Sequence, residues 1–184
     1  ALYSYVGAIK SLRIPDALFF DIGGGSLEIV YAEKFKIKKV ISLPLGALRL
    51  THQFDGKKGK FDDKNFKALK RYIWELLPNK KDLELSNDVK LVGVGGALRA
   101  LARHEQRISK YPLDKTHNYK ISRKSLDSAV NELSKIKSDD MSKISVIGAS
   151  RAETIVAGSC VIDTLMEKYD FSEMHVSNHG LREG

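Results

Sequence analysis

Three observations make this sequence an α/β fold built on a mixed β-sheet. A short apolar run, Leu18-Phe19-Phe20-Asp21-Ile22, lies between Pro15-Asp16 and Gly23-Gly24-Gly25 and reads as a buried strand. Two alternating segments follow it across tight turns, which implies an antiparallel meander. Beyond Pro44 the apolar period lengthens to that of helices, and Val89 to Val94 returns to strand before Gly95-Gly96 leads into another helix.

In chain order, Leu2, Val6 and Ile9 share a helical stripe at the N-terminus. Leu18 to Ile22 is the first strand, and Ser26 to Ala32 is the second, with Leu27, Ile29 and Tyr31 alternating against Glu28 and Val30. The third, Lys36 to Leu43, ends at Pro44. Gly46 to Phe54 predicts a short helix. Asp62 or Asp63 caps a longer one that reaches Leu77 and stops at Pro78. Val89 to Val94 is the fourth strand, and a helix starts at about Ala97. After an irregular stretch near Pro112, Ser122 caps a helix to about Ile136. Another runs from Ser150 or Arg151 to Tyr169, and Met174 to Ser177 is the fifth strand.

The composition is that of a globular protein: of 184 residues, 42% are hydrophobic and 29% charged, which excludes a disordered or collagenous chain. No apolar stretch reaches the roughly 20 residues of a membrane span. One cysteine, Cys160, excludes an intrachain disulfide framework, so a cytoplasmic setting is expected, with Cys160 packed as a small hydrophobe. Tyr72 and Trp74 read as helix packing, and the five histidines show no metal spacing. The 31 Lys and Arg exceed the 23 Asp and Glu, a net charge of +8, with clusters at 34–39, 57–60 and 64–71. That balance suits a polyanion partner. The chain opens at Ala1 already in helical pattern and stops without a tail at Gly184, so it reads as a piece of a longer protein.

Two glycine turns carry the chemistry. In Asp21-Ile22-Gly23-Gly24-Gly25-Ser26, glycines at a strand end let backbone N–H groups approach a phosphate, and Asp21 is placed to hold Mg2+ beside it. A plain glycine hairpin with Asp21 as its cap satisfies the same spacing. The second turn, Gly93-Val94-Gly95-Gly96-Ala97, precedes a helix whose free amides and dipole favour an anion. It has neither the Gly-Lys-Ser/Thr ending of a P-loop nor the G-x-G-x-x-G spacing. Together the two turns can clamp one phosphate chain, the arrangement of actin-like phosphotransferases and hydrolases.

The segment from Asp21 to Glu28 resembles the signature of the exopolyphosphatase / guanosine pentaphosphate phosphohydrolase family, with Leu27 where Thr is commoner. The resemblance continues through Ser42 to Gly46 with Arg49, and through Gly93 to Gly96, where Ala97 replaces the usual Thr. It closes with Arg151-Ala152-Glu153, Ile155, Gly158 and the ending Val176 to Gly184. Residues 104–140 carry none of it.

The resemblance implies an actin-like (ribonuclease H-like) lobe over 1–184, with a mixed five-stranded sheet, three antiparallel strands first, and helices on both faces. It implies Mg2+-dependent hydrolysis of the terminal phosphate of inorganic polyphosphate or guanosine pentaphosphate. Asp21 would organise Mg2+ and the attacking water, and Glu28, on the strand face of Ser26, would share that work. Gly23, Gly24, Gly25 and Ser26 would hold phosphate oxygens, and Gly95, Gly96 and Ala97 would contact the phosphate chain; Arg99, one turn into the helix, reads first as a surface arginine and second as an electrostatic helper. Arg151 and Glu153 read as a supporting ion pair at a helix start, while Arg182 and Glu183 belong to the family's ending without an assigned role. A first lobe and a catalytic glutamate are expected just before Ala1, so this chain would supply half of the cleft and be inactive alone. Its exposed cleft face would then favour a homodimer.

Two other classes fit the same turns. An actin-like ATPase or sugar-kinase lobe would add a nucleotide pocket, for which the segment after Gly95 offers no adenine site. A non-catalytic polyanion-binding module fits the lysines, but no RRM, KH, helix-turn-helix or zinc-finger pattern marks a nucleic-acid partner.

Overall fold

The computed structural model describes residues 2–54, 61–86, 88–112, 115–136 and 138–179. Its elements are α1 (Leu2–Leu12), β1 (Ala17–Ile22), β2 (Leu27–Glu33), β3 (Lys36–Leu43), α2 (Ala47–Phe54), α3 (Asp63–Leu76) and α4 (Lys80–Leu83). Then come β4 (Lys90–Gly95), α5 (Gly96–Ile108), β5 (Lys120–Ser122), α6 (Arg123–Leu133), α7 (Ser138–Met141), α8 (Ala149–Ala152), α9 (Ile155–Tyr169) and β6 (Glu173–Val176). The 57–60 lysine cluster and the ending 180–184 lie outside the described residues.

The strands form one sheet in the order β3-β2-β1-β4-β6-β5. β1 pairs antiparallel with β2 and β2 with β3, as the meander requires, while β4 joins β1 in parallel with Ile22 opposite Gly95. The expected count of five strands is corrected to six. β5 is three residues long and only Ile121 in it is buried, too little pattern to register as a strand. It pairs antiparallel with β6 at the sheet edge.

Strand alternation sends side chains to two faces. Leu18, Phe20, Ile22, Leu27, Ile29, Tyr31 and Leu91 enter the larger core with the helices that follow β3. Phe19, Val30, Val92 and Val94 pack on the other face against Tyr5 and Ala8 of α1. Helices therefore cover both faces. Asp62 caps α3 by accepting from the Asn65 N–H at 2.7 Å, and Ser122 caps α6 through Ser125 at 3.1 Å.

The single helix expected from about Arg151 to Tyr169 is interrupted at Glu153 and Thr154, separating α8 from α9. α9 is buried at every position except Glu167 and Lys168, so it is a central core helix and not a surface one. Cys160 is buried there, and desolvation pushes its thiol up to about 12. Trp74, read as packing, is exposed and carries the Lys168 ammonium 5.4 Å from its ring centroid. No helix among the described residues is long and apolar enough to cross a membrane.

Candidate phosphate site

The glycine turn after β1 is built by the start of α2. Gly23 donates its N–H to Ser26 O at 3.0 Å, closing the hairpin. Ala47 N–H then donates to Gly23 O at 2.9 Å and Arg49 N–H to Gly24 O at 3.0 Å, while Arg49 Nε reaches Gly25 O at 3.1 Å. Two of the first three amides of α2 are thereby satisfied. The turn's carbonyls are drawn toward α2, and the amides of Gly24 and Gly25 have no acceptor among the described residues. Two unsatisfied, exposed N–H groups side by side are anion-binding elements.

Gly46 makes this docking possible. A Cβ there would lie 2.2 Å from Gly25 C and 2.3 Å from Ser26 N, so no larger residue fits. Gly23, Gly24 and Gly25 are a different case. A Cβ on Gly23 or Gly24 would come no nearer than 3.6 Å to another residue, and one on Gly25 would meet nothing within 4 Å. None of the three has positive φ. The chain's own packing does not call for glycine at these positions, whereas close approach by a ligand does.

A row of polar side chains crosses the sheet next to the turn. Asp21 is the register partner of Glu28 on β2 and of Val94 on β4, and Glu28 is the partner of Ser42 on β3. Glu28 Oε1 accepts from Ser26 Oγ at 2.5 Å and from Ser42 Oγ at 3.3 Å, which holds its carboxylate in place. Asp21 is half-buried, and its carboxylate accepts no hydrogen bond among the described residues. Directly opposed residues on antiparallel strands have Cβ atoms about 5 Å apart, so the two carboxylates can share one cation. The donor set fits Mg2+, which takes one or two carboxylates and completes its shell with water and phosphate oxygens. No group of three or more His, Cys, Asp or Glu is placed to hold a metal among the described residues.

The second turn adjoins the first because β1 and β4 are neighbours. Gly95 has φ +131°, and a Cβ there would lie 2.8 Å from Ile22 O, so glycine is required by backbone and packing alike. It is buried, as is Ala97, which meets Gly158 of α9. A Cβ on Gly158 would be 2.8 Å from Ala97 Cβ and 3.5 Å from Ala47 Cβ, so the starts of α2, α5 and α9 converge behind the two turns. Arg99 is half-buried within the first turns of α5.

Arg151 departs from the expectation. Glu153 faces His52 instead, Oε1 to Nε2 at 3.3 Å, and Arg151 has no carboxylate partner among the described residues. Its guanidinium lies over Gly96, with three of its atoms 2.4–2.8 Å from where a Cβ would stand. A guanidinium beside a helix N-terminus adds charge to an anion site. Sequence spacing carries no signal for this, because the two residues are far apart in the chain and meet only through the packing of α8 on α5.

A match to the Ppx/GppA phosphatase family extends over residues 1–184. A bifunctional 3-dehydroquinate synthase/phosphatase of Fusobacterium nucleatum is 25% identical over 174 residues, covering 92% of this chain and 26% of that protein. The Ppx/GppA family member of Aquifex aeolicus superposes with a TM-score of 0.82 at 27% identity, over 98% of this chain and 58% of that one. An exopolyphosphatase from Cytophaga hutchinsonii superposes with a TM-score of 0.87 at 21% identity, over 99% of this chain and 60% of that one, and shares the fold. The chain thus spans about a quarter of the first relative and about three-fifths of the two solved ones.

Proposed function

The chain belongs to the Ppx/GppA phosphatase family, and on that premise we propose that it forms one wall of a cleft that hydrolyses the terminal phosphoanhydride of inorganic polyphosphate or guanosine pentaphosphate. The observation that carries this reading is the turn itself. Its carbonyls accept from α2, and among the described residues its Gly24 and Gly25 amides are left without an acceptor, beside Asp21 and Glu28 in register.

In this mechanism the Gly24 and Gly25 amides bind oxygens of the terminal phosphate and stabilise the charge they carry in the transition state. The N-terminus of α5 and Arg151 receive the next phosphate, which fixes the scissile bond across the two turns. Asp21 orients the attacking water, and Glu28, restrained by Ser26 and Ser42, holds its carboxylate beside it. Asp21 and Glu28 would hold Mg2+, which would neutralise charge on the phosphate oxygens. On this reading the opposite wall and the general base belong to a preceding lobe, and this chain alone is inactive.

The test is phosphate release from long-chain polyphosphate with Mg2+, comparing residues 1–184 with a protein extended upstream through that lobe. Release by the extended protein alone is the expected result. Equal release by both would place the base within this chain, at Glu28. No release by either would overturn the hydrolase reading.

A further inference from the structure

The helical face holds a groove that the hydrolytic site does not use. α3 and α6 both pack on α9, and a trough of about 810 Å3 between them is lined by Phe61, Lys64, Phe66, Lys67, Lys70 and Lys135 among others.

Its direction follows from α9. Near the start of that helix Gly158 meets Ala97 and Ala47 behind the glycine turns. At its far end Lys168 donates to Trp74 O and Leu77 O, and Tyr169 donates to Pro78 O. α3 therefore begins at the end of the sheet that carries the turns. Arg123, at the start of α6, is 3.8 Å from Glu167 at the far end. α6 thus runs back, and Lys135 returns to the turn end. Phe61, Lys64, Lys67 and Lys135 form a mouth at the end of the molecule where the phosphate turns lie.

Charge separates the mouth from the depth. In the depth Lys70 lies 3.0 Å from Asp163 and 2.7 Å from Glu167, and Arg123 also approaches Glu167. Burial works against the Lys70 ammonium, but its bonds to Glu167 and Asp163 outweigh that and hold its pKa well above the ordinary lysine value. The depth is neutralised. At the mouth Lys64, Lys67 and Lys135 are exposed, and none has a carboxylate at ion-pair distance among the described residues. The carboxylates there are Asp62, which accepts from the Asn65 N–H, and Asp63, which faces the positive end of α3. Asp62 has a donor and Asp63 a helix N-terminus beside it; among the described residues the three ammonium groups have no carboxylate partner.

We propose that this mouth is a second contact for a linear polyphosphate, holding the distal part of a chain whose terminal phosphate occupies the glycine turns. The proposal rests on the hydrolase reading above and names the substrate it favours: the long polymer over the short nucleotide. Lys64 and Lys67 are one helical turn apart on one face of α3, and Lys135 stands across the groove. Ammonium groups on flexible stems are point charges without fixed geometry. They suit a repeating anion that must slide as its end is shortened, and a guanidinium fork would not.

The test is binding of residues 1–184 to long-chain polyphosphate and to tripolyphosphate, each at low and high salt. Replacing Lys64, Lys67 and Lys135 together by Glu is expected to weaken long-chain binding about tenfold or more at low salt and to flatten its salt dependence. Tripolyphosphate, too short to leave the turns, should bind unchanged. The Gln variants should show a smaller loss in the same order, and the melting temperature confirms the fold. Unchanged long-chain binding overturns the proposal, and so does an equal loss for both ligands. Heparin competing as well as polyphosphate at matched charge overturns the assignment to polyphosphate. Gly24→Val separates the two sites, since it should weaken both ligands. If it weakens neither while the lysine variants still weaken the polymer, the turn reading fails and the groove stands by itself.

Discussion

Asp21 and Glu28 stand directly opposite each other on neighbouring antiparallel strands, one carboxylate without a hydrogen-bond donor among the described residues and the other held by two serine hydroxyls. Two like charges side by side on a sheet face destabilise it unless something compensates. On the proposed reading a cation shared between them would supply that compensation, which ties the pair to the chemistry.

Asp21→Asn should therefore leave the fold intact and lower phosphate release by about a hundredfold or more in the intact parent protein, a loss of the size expected when a positioned group for charge and water is removed. Steady-state release assays and far-UV circular dichroism check this together. Undiminished turnover would refute the role given to Asp21.

The glycines divide by their neighbours. Gly46→Ala puts a methyl group against the backbone of Gly25 and Ser26, and should cost about 3 kcal/mol of stability, at the upper end of overpacking penalties. Gly24→Val meets no backbone and should change stability far less, while weakening phosphate binding by blocking the approach to its amide. Denaturant unfolding beside phosphate titration distinguishes them. The prediction fails if Gly24→Val is the more destabilising of the two.

Gly96→Ala tests the placement of Arg151. The new methyl must displace the guanidinium, which is the far end of a flexible side chain and can move. Stability should fall by less than about 1 kcal/mol, and affinity for tripolyphosphate should fall severalfold with the lost charge. Retained affinity would show that Arg151 does not serve the site.

His104 makes stability depend on pH. Its ring is buried and neither nitrogen has a hydrogen-bond partner among the described residues, and desolvation holds its pKa below the ordinary value; Glu132 at 4.0 Å opposes that, and Arg107 adds to it. A group whose folded pKa is depressed by burial binds its proton more readily when unfolded. The folded state loses stability as pH falls through about 6.5, where the unfolded imidazole begins to take up its proton. Melting temperature measured from pH 7.5 to 5.5 should decline, and His104→Leu should flatten that limb. A variant curve parallel to the native one would rule His104 out as the source.

The Cys160 thiol, buried in α9 and pushed up to about 12, should resist alkylation at neutral pH until the protein unfolds. Iodoacetamide labelling followed by mass spectrometry, with and without denaturant, reads this directly. Rapid labelling of the native protein would mean that α9 opens.

Much of the fold was legible because its signals are local. The β1 to β3 meander follows from an apolar run and two alternating segments between tight turns, and Asp62 and Ser122 act as the caps their positions implied. β5 escaped notice because three residues with one buried side chain make no period. The break between α8 and α9 escaped because no glycine or proline marks Glu153 and Thr154.

The sequence by itself determined the layered α/β class, both glycine turns and the acidic residues beside the first of them, since strand period, turn chemistry and motif order are written within a few residues. Only the tertiary structure decided three other things. It set Asp21 against Glu28 in register, it turned the Gly24 and Gly25 amides outward by docking α2 on their carbonyls, and it laid Arg151 over Gly96. The first depends on the pairing register of two strands, and the other two on helices that meet the turns from elsewhere in the chain, α2 on the first and α8 on the start of α5. That meeting is a property of packing, which no local pattern encodes.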